Sequence, residues 1–166
     1  MEINGLPAHV LIVHAAVVFL PLATVIAVVY AWVPRWRWAT RWPAVGFTTV
    51  ALGAVMAAYF SGRSFLDSQP ALKQSSAVTL HRERASVLFW VTIVFALLVF
   101  LAAWGLGGPS GLASGRFGRA RHAPVVEWSL MAMVTILAVA SLAMVIGTGD
   151  AGARAVWSGF TAPSSQ

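Results

Sequence analysis

Apolar residues along the chain gather into four long runs, separated by short stretches that hold nearly all the charge. The runs cover about 9–33, 43–62, 85–106 and 128–148. Each has the roughly 20 residues that an α-helix needs to cross a bilayer core at about 1.5 Å per residue. Apart from His14, none carries an ionisable group well inside its ends. A helix at the surface of a water-soluble protein would show a polar face at helical spacing. These runs show none. The pattern predicts an all-α integral membrane four-helix bundle, a single membrane domain over 1–166.

The punctuation agrees. Pro34 closes the first run, and Gly107, Gly108 and Pro109 close the third. Pro21 lies inside the first run, where a membrane helix tolerates it because neighbouring groups re-satisfy the freed carbonyl. Gly46, Val50, Gly53 and Ala57 form a small-residue stripe, and Ala143 and Gly147 a second small pair. Such spacing lets backbones approach closely in lipid, and it is expected on packing faces. The N-terminal residues 1–5 lack the positive flank of a signal peptide, so the first run is expected to be retained.

Composition narrows the function classes. Hydrophobic residues make up 59% of the chain and charged residues 10%, where soluble proteins average about a quarter charged. The absence of cysteine excludes disulfides, thiolate metal sites, iron–sulfur clusters and covalently attached haem. The net charge of +6 does not indicate nucleic acid, because the 11 basic residues sit in the segments between and after the apolar runs rather than on one dense face. Their partner is the lipid bilayer.

Four spans place the two connections at one end and the termini at the other. The connections hold Arg35, Arg37 and Arg41, then Arg116, Arg119 and Arg121. Trp32, Trp36, Trp38, Trp42, Trp104 and Trp128 belong to the same end, as an aromatic belt at headgroup level. The Trp/Arg interleaving reads first as interfacial anchoring and second as a lipid or partner site. The terminal end holds Arg63, Lys73, Arg82, Arg84 and Arg154, with the longest connection at 61–84. Six basic residues in tight loops against five tilt the reading toward cytoplasmic connections, with the termini outside the cell membrane.

Candidate chemistry lies with the histidines. His9, His14 and His81 fall at the terminal end, with Asp67, Glu83 and Asp150, whereas His122 stands alone at the other. His14 lies about 7 Å inside the first span, where ionisable groups usually face the bundle interior. It is therefore expected to point inward, toward helix three, the 61–84 connection or the 149–157 exit. Imidazoles here suit a haem b held by His14 and His81, with His9 in reserve, or a divalent metal held by His9, His14, His81 and Asp67. An interfacial histidine satisfied by a carbonyl is the plain alternative. Five residues turn a helix by about 500°, so His9 and His14 point about 140° apart and one regular helix cannot aim both at a single ion. His14 and His81 also differ in depth by about 14 Å. Arg82, Glu83 and Arg84 read as helix-end anchors, with Glu83 near a helix N-terminus. The glycines from Gly147 to Gly159 read as a flexible exit, with Asp150 closing toward the histidines.

The pattern His9-x-x-x-Val13-His14 before a proline-bearing apolar run, the Gly62-x-x-x-x-Asp67 exit of the second run and His81 opening the third together resemble the bacterial membrane family called domain of unknown function 2231. The resemblance covers nearly the whole chain and implies a small four-helix membrane bundle with no assigned activity. No phosphate-binding loop, catalytic triad order or HExxH motif is present. The sequence therefore points away from an enzyme. It points to a non-catalytic membrane subunit or scaffold binding a membrane protein partner, with haem b or metal-dependent electron transfer through His14 and His81 as the alternative.

Overall fold

The computed structural model describes residues 2–3, 6–108, 110–114 and 124–157. A minimal antiparallel pair, β1 (Glu2–Ile3) and β2 (Leu6–Pro7), precedes four helices. These are α1 (Ala8–Trp32), α2 (Arg37–Ser68), α3 (Ser76–Gly105) and α4 (Pro124–Trp157). Short 3-10 turns at Pro34–Trp36 and Pro70–Gln74 join α1 to α2 and α2 to α3. All four helices are long and apolar enough to cross a membrane, and they form an all-α bundle. Each helix packs beside its chain neighbour, and α4 closes the ring against α1, so α1 and α3 lie on one diagonal.

Helices α2, α3 and α4 outrun their apolar segments. At 32 residues, α2 measures about 48 Å, well beyond the roughly 30 Å hydrocarbon core, so its polar end projects into the headgroup region. The 61–84 stretch is therefore mostly helix, with a true connection only at residues 69–75. Pro70 ends the preceding helix because it forces the chain before it out of helical geometry. The 149–157 segment is likewise the last turns of α4 rather than a flexible exit. Pro21 is carried inside α1, and one turn on the Thr24 hydroxyl donates to the Pro21 carbonyl at 2.7 Å.

The core is built from small residues. Ala16, Ala23, Ala27, Ala31, Ala44 and Ala51 are buried, interleaved with Leu20, Tyr30, Phe95 and Val99. Alanine lets the helices approach closely, and dispersion contacts replace the hydrophobic drive that lipid removes. The larger side chains Val25, Leu97, Ile136 and Ile146 face outward. The stripe expected to pack is not the one that does. Gly46, Val50, Gly53 and Ala57 all face outward, and a Cβ built on Gly46 or Gly53 would meet nothing within 4 Å. The face that packs is Ala44, Thr48, Ala51 and Val55. Of the second small pair, Ala143 faces outward and Gly147 lies against Arg84.

The connecting end is locked by arginines. Arg37, read from sequence as a surface anchor, is only 4% exposed. Its guanidinium donates to the carbonyls of Tyr30 (3.2 Å), Ala31 (2.7 Å) and Gly107. Arg41 donates to Ala103 O at 2.9 Å and Gly111 O at 3.2 Å, and the Tyr30 hydroxyl donates to Ala102 O at 3.2 Å. The acceptors are carbonyls at the C-terminal ends of α1 and α3 and just beyond. A helix leaves its last carbonyls unpaired there, and its dipole favours a cation. Glu127 accepts the Gly107 N–H at 3.3 Å and joins α4 to the same knot. Trp32, Trp36, Trp38, Trp42, Trp104 and Trp128 are all exposed at this end, with Trp32 edge-on to Trp128 at 5.8 Å. Arg116, Arg119, Arg121 and His122 lie outside the described residues.

Candidate functional site

At the opposite end, the N-terminal turns of α1 and α3 meet the C-terminal turns of α2 and α4. His9 of α1 leans onto α2, with its Nδ1 3.1 Å from Ser61 Oγ. The Ser61 hydroxyl donates its own proton to Ala58 O at 3.1 Å. Its oxygen is then an acceptor, so the His9 proton belongs on Nδ1 and the lone pair on Nε2. His81 of α3 leans onto α4 and donates from Nδ1 to Thr148 O at 3.0 Å, which again leaves the lone pair on Nε2. Both tautomers are assigned from the hydrogen-bond partners. The two imidazoles stand on diagonal helices at the same end of the bundle.

Each ring rests on a glycine. A Cβ on Gly62 would lie 2.9 Å from His9 Cε1, and one on Gly152 would lie 3.1 Å from Cε1 and Nδ1 of His81. Any larger residue at either position occupies space that the ring now fills. Next to His81, Arg84 donates to Gly147 O at 2.7 Å, so it clasps α3 to α4 and is not a solvated anchor. The Thr148 hydroxyl is buried, and among the described residues no hydrogen-bond partner satisfies it. A buried hydroxyl without a partner is costly, which makes it a natural contact for a water or ion.

His14 does not join this group. It is exposed on the outside of α1, with Nδ1 bonded to Val10 O of its own helix at 2.7 Å. His9 and His14 point to different sides of α1, His9 toward α2 and His14 outward. Asp67 also stands apart, exposed and paired with Lys73 at 2.9 Å. Asp150 pairs with Arg154 on its own helix at 3.1 Å and does not reach the histidines. Glu83 is exposed, and its position eighth in α3 lies beyond the first turn where a helix dipole favours a carboxylate. Among the described residues, no three His, Cys, Asp or Glu side chains come together as a metal-binding group, so the set His9, His14, His81 and Asp67 is not assembled.

A haem held between His14 and His81 does not fit this arrangement, because His14 faces away from the bundle while His81 leans onto α4. Glycine carries no polar group and so gives no sequence signal for a site. In the sequence Gly62 belongs to an exit motif and Gly152 to a glycine-spaced segment, yet each is the floor under a ring. No family model, curated protein or solved structure matches this chain.

Proposed function

We propose that this protein is a non-catalytic, multi-pass subunit of the cell membrane that docks another membrane protein through the outward face of α1. The observation that carries this reading is the outward orientation of His14. Val10, Leu11, Val17 and Val18 surround it on the same exposed face, which is otherwise suited to lipid. The bond to Val10 O satisfies one ring nitrogen and leaves the other as an acceptor directed away from the bundle. An unpaired acceptor in hydrocarbon costs a few kcal/mol. A donor from a neighbouring membrane protein removes that cost, and polar side chains join membrane helices in this way. The arginines of the α1–α2 connection favour a cytoplasmic location for that end, with the histidine end outside.

Because the chain has no cysteine, single cysteines test this cleanly. Val17 lies three residues from His14 on the same face of the helix, and Leu97 is an outward residue on α3, 61% exposed. In native membranes, a thiol-directed photocrosslinker on Val17→Cys is expected to give one discrete adduct with a second polypeptide. Leu97→Cys gives lipid labelling only, and adding His14→Leu weakens the Val17 adduct. Identical lipid-only labelling at both positions removes the docking reading.

A second reading rests on the terminal end, where the Nε2 lone pairs of His9 and His81 and the orphan hydroxyl of Thr148 offer ligands for a divalent metal ion. Metal-bound histidines usually donate their other ring N–H to a backbone carbonyl or similar acceptor, as both rings do here. Water would complete the coordination of a centre with so few protein ligands. In this reading His9 and His81 hold the ion, Ser61 and Thr148 fix the rings, and the glycines set their depth.

A further inference from the structure

We propose that the cleft between α2 and α3 at the terminal end binds the phosphate group of an anionic amphiphile. The cleft has a volume of about 290 Å³ and is lined by Tyr59, Arg63, Arg82 and Ser86. It continues outward into a smaller hollow of about 120 Å³ bounded by Arg63, Arg82, Leu66, Asp67 and Lys73. In that outer hollow Asp67 is neutralised by Lys73 at 2.9 Å. Two arginines from facing helices therefore stand over one cleft, and among the described residues no carboxylate is bonded to either. Arg63 reaches the Tyr59 hydroxyl at 3.4 Å and lies over its ring, 5.7 Å from the centroid. Glu83, next to Arg82 in sequence, is exposed and does not line the cleft.

Depth sets the class of ligand. Arg63 stands one turn nearer the end of α2 than Tyr59 and Phe60, and Arg82 stands two turns nearer the start of α3 than Phe89 and Trp90. The charged groups therefore form a rim above an aromatic wall. Tyr59 stacks on Phe89 at 4.5 Å, Phe60 meets Phe89 edge-on at 6.0 Å, and Trp90 meets Phe89 at 5.3 Å. Phe60 and Trp90 are open to the bilayer, Trp90 with 63% of its surface exposed. Guanidinium forks suit phosphate oxygens, and the hydrogen-bonded hydroxyl pair of Tyr59 and Ser86 adds a donor below them. The aromatic wall then receives the apolar part of the same molecule at the depth where acyl chains begin. A free phosphate would meet the rim alone, whereas a phospholipid meets rim and wall together.

The test uses the full chain in detergent, with native mass spectrometry reading retained ligand. Short-chain phosphatidylglycerol is offered with and without excess inorganic phosphate, and phosphatidylcholine is offered in parallel. Wild-type protein is expected to retain phosphatidylglycerol in preference to phosphatidylcholine. Arg63→Gln with Arg82→Gln should reduce that retention by about tenfold or more, as expected when charge-assisted hydrogen bonds are lost. Arg35→Gln with Arg154→Gln, which removes the same charge elsewhere, should stay within about twofold of wild type by ordinary surface screening. Ser86→Leu, which fills the cleft and keeps both arginines, should lose the lipid as the double variant does. Competition by inorganic phosphate marks recognition of the phosphate alone, and its failure to compete marks recognition of the lipid; both support the site. Equal retention by wild type and the cleft double variant, or by wild type and Ser86→Leu, overturns it. An equal loss in the charge-matched control overturns it as well.

Discussion

Arg37→Ala is expected to lower the unfolding temperature of the detergent-solubilised protein by about 10 °C. The guanidinium is buried and supplies donors to Tyr30 O, Ala31 O and Gly107 O, tying the end of α1 to the end of α3 across the bundle diagonal. Alanine leaves three carbonyls without that donor and opens a void beside Met131, whose sulfur lies 3.9 Å from the guanidinium. Charged hydrogen bonds contribute about 1.5–3 kcal/mol each, and incomplete additivity brings the total to about 3–5 kcal/mol. For a chain of this size, each kcal/mol moves the midpoint by about 2–4 °C. Lysine should recover only a small part, because one ammonium cannot span acceptors on two helices that the planar fork reaches together. Arg35→Ala on the same connection should move the midpoint by no more than about 2 °C, since Arg35 is exposed and only covers the Trp36 ring. A thermal scan in which the Arg37 and Arg35 variants behave alike would show that the arginine knot does not hold the connecting end.

Enlarging the glycine floors should be the next largest effect. Valine at Gly62 places its Cβ 2.9 Å from the present position of His9 Cε1, and valine at Gly152 sets its Cβ 3.1 Å from His81. The rings must leave, which breaks the His9–Ser61 and His81–Thr148 hydrogen bonds. Overpacking of this kind costs about 1–3 kcal/mol. Gly53→Val, on the outward face of α2 with nothing within 4 Å, should be neutral or slightly stabilising, since valine is a better helix former than glycine. If His9 and His81 hold a divalent ion, zinc titration of the wild type finds one ion per chain, and His9→Ala, His81→Ala, Gly62→Val and Gly152→Val each lose it. A wild type that takes up no zinc removes the metal reading and leaves the two histidines as interhelical clasps. The stability ranking of the three glycine variants does not depend on that outcome.

These variants mark where the sequence was legible. Four spans, their antiparallel order and the gathering of tryptophan at the connecting end all follow from run lengths and from amphipathic residues at the ends. The structure bears these out. The rotation of each helix about its axis was not legible, because in a membrane both the lipid face and the core are apolar and periodic polarity is absent. His14 and the Gly46–Gly53 stripe were expected inside for that reason, and both face out. The usable signal was alanine. Ala16, Ala23, Ala27 and Ala31 recur at helical spacing on the buried side of α1, while valines at 10, 17, 18 and 25 occupy the other. The burial of Arg37 had no such signal. It depends on Gly107, 70 residues away, and no local pattern distinguishes it from Arg35.

The central claim is that this bundle crosses a membrane four times, with the histidine end and the connecting end on opposite sides. A cysteine-free chain allows it to be tested directly. Gln69→Cys lies in the exposed turn between α2 and α3, and Ser110→Cys lies just beyond α3 at the other end. Sealed, right-side-out cells are treated with a membrane-impermeant maleimide before and after permeabilisation. The account predicts that Gln69→Cys labels at once and that Ser110→Cys labels only after permeabilisation. The opposite order would reverse the orientation while preserving the four spans. Labelling of both positions from the same side would contradict the four-span bundle itself.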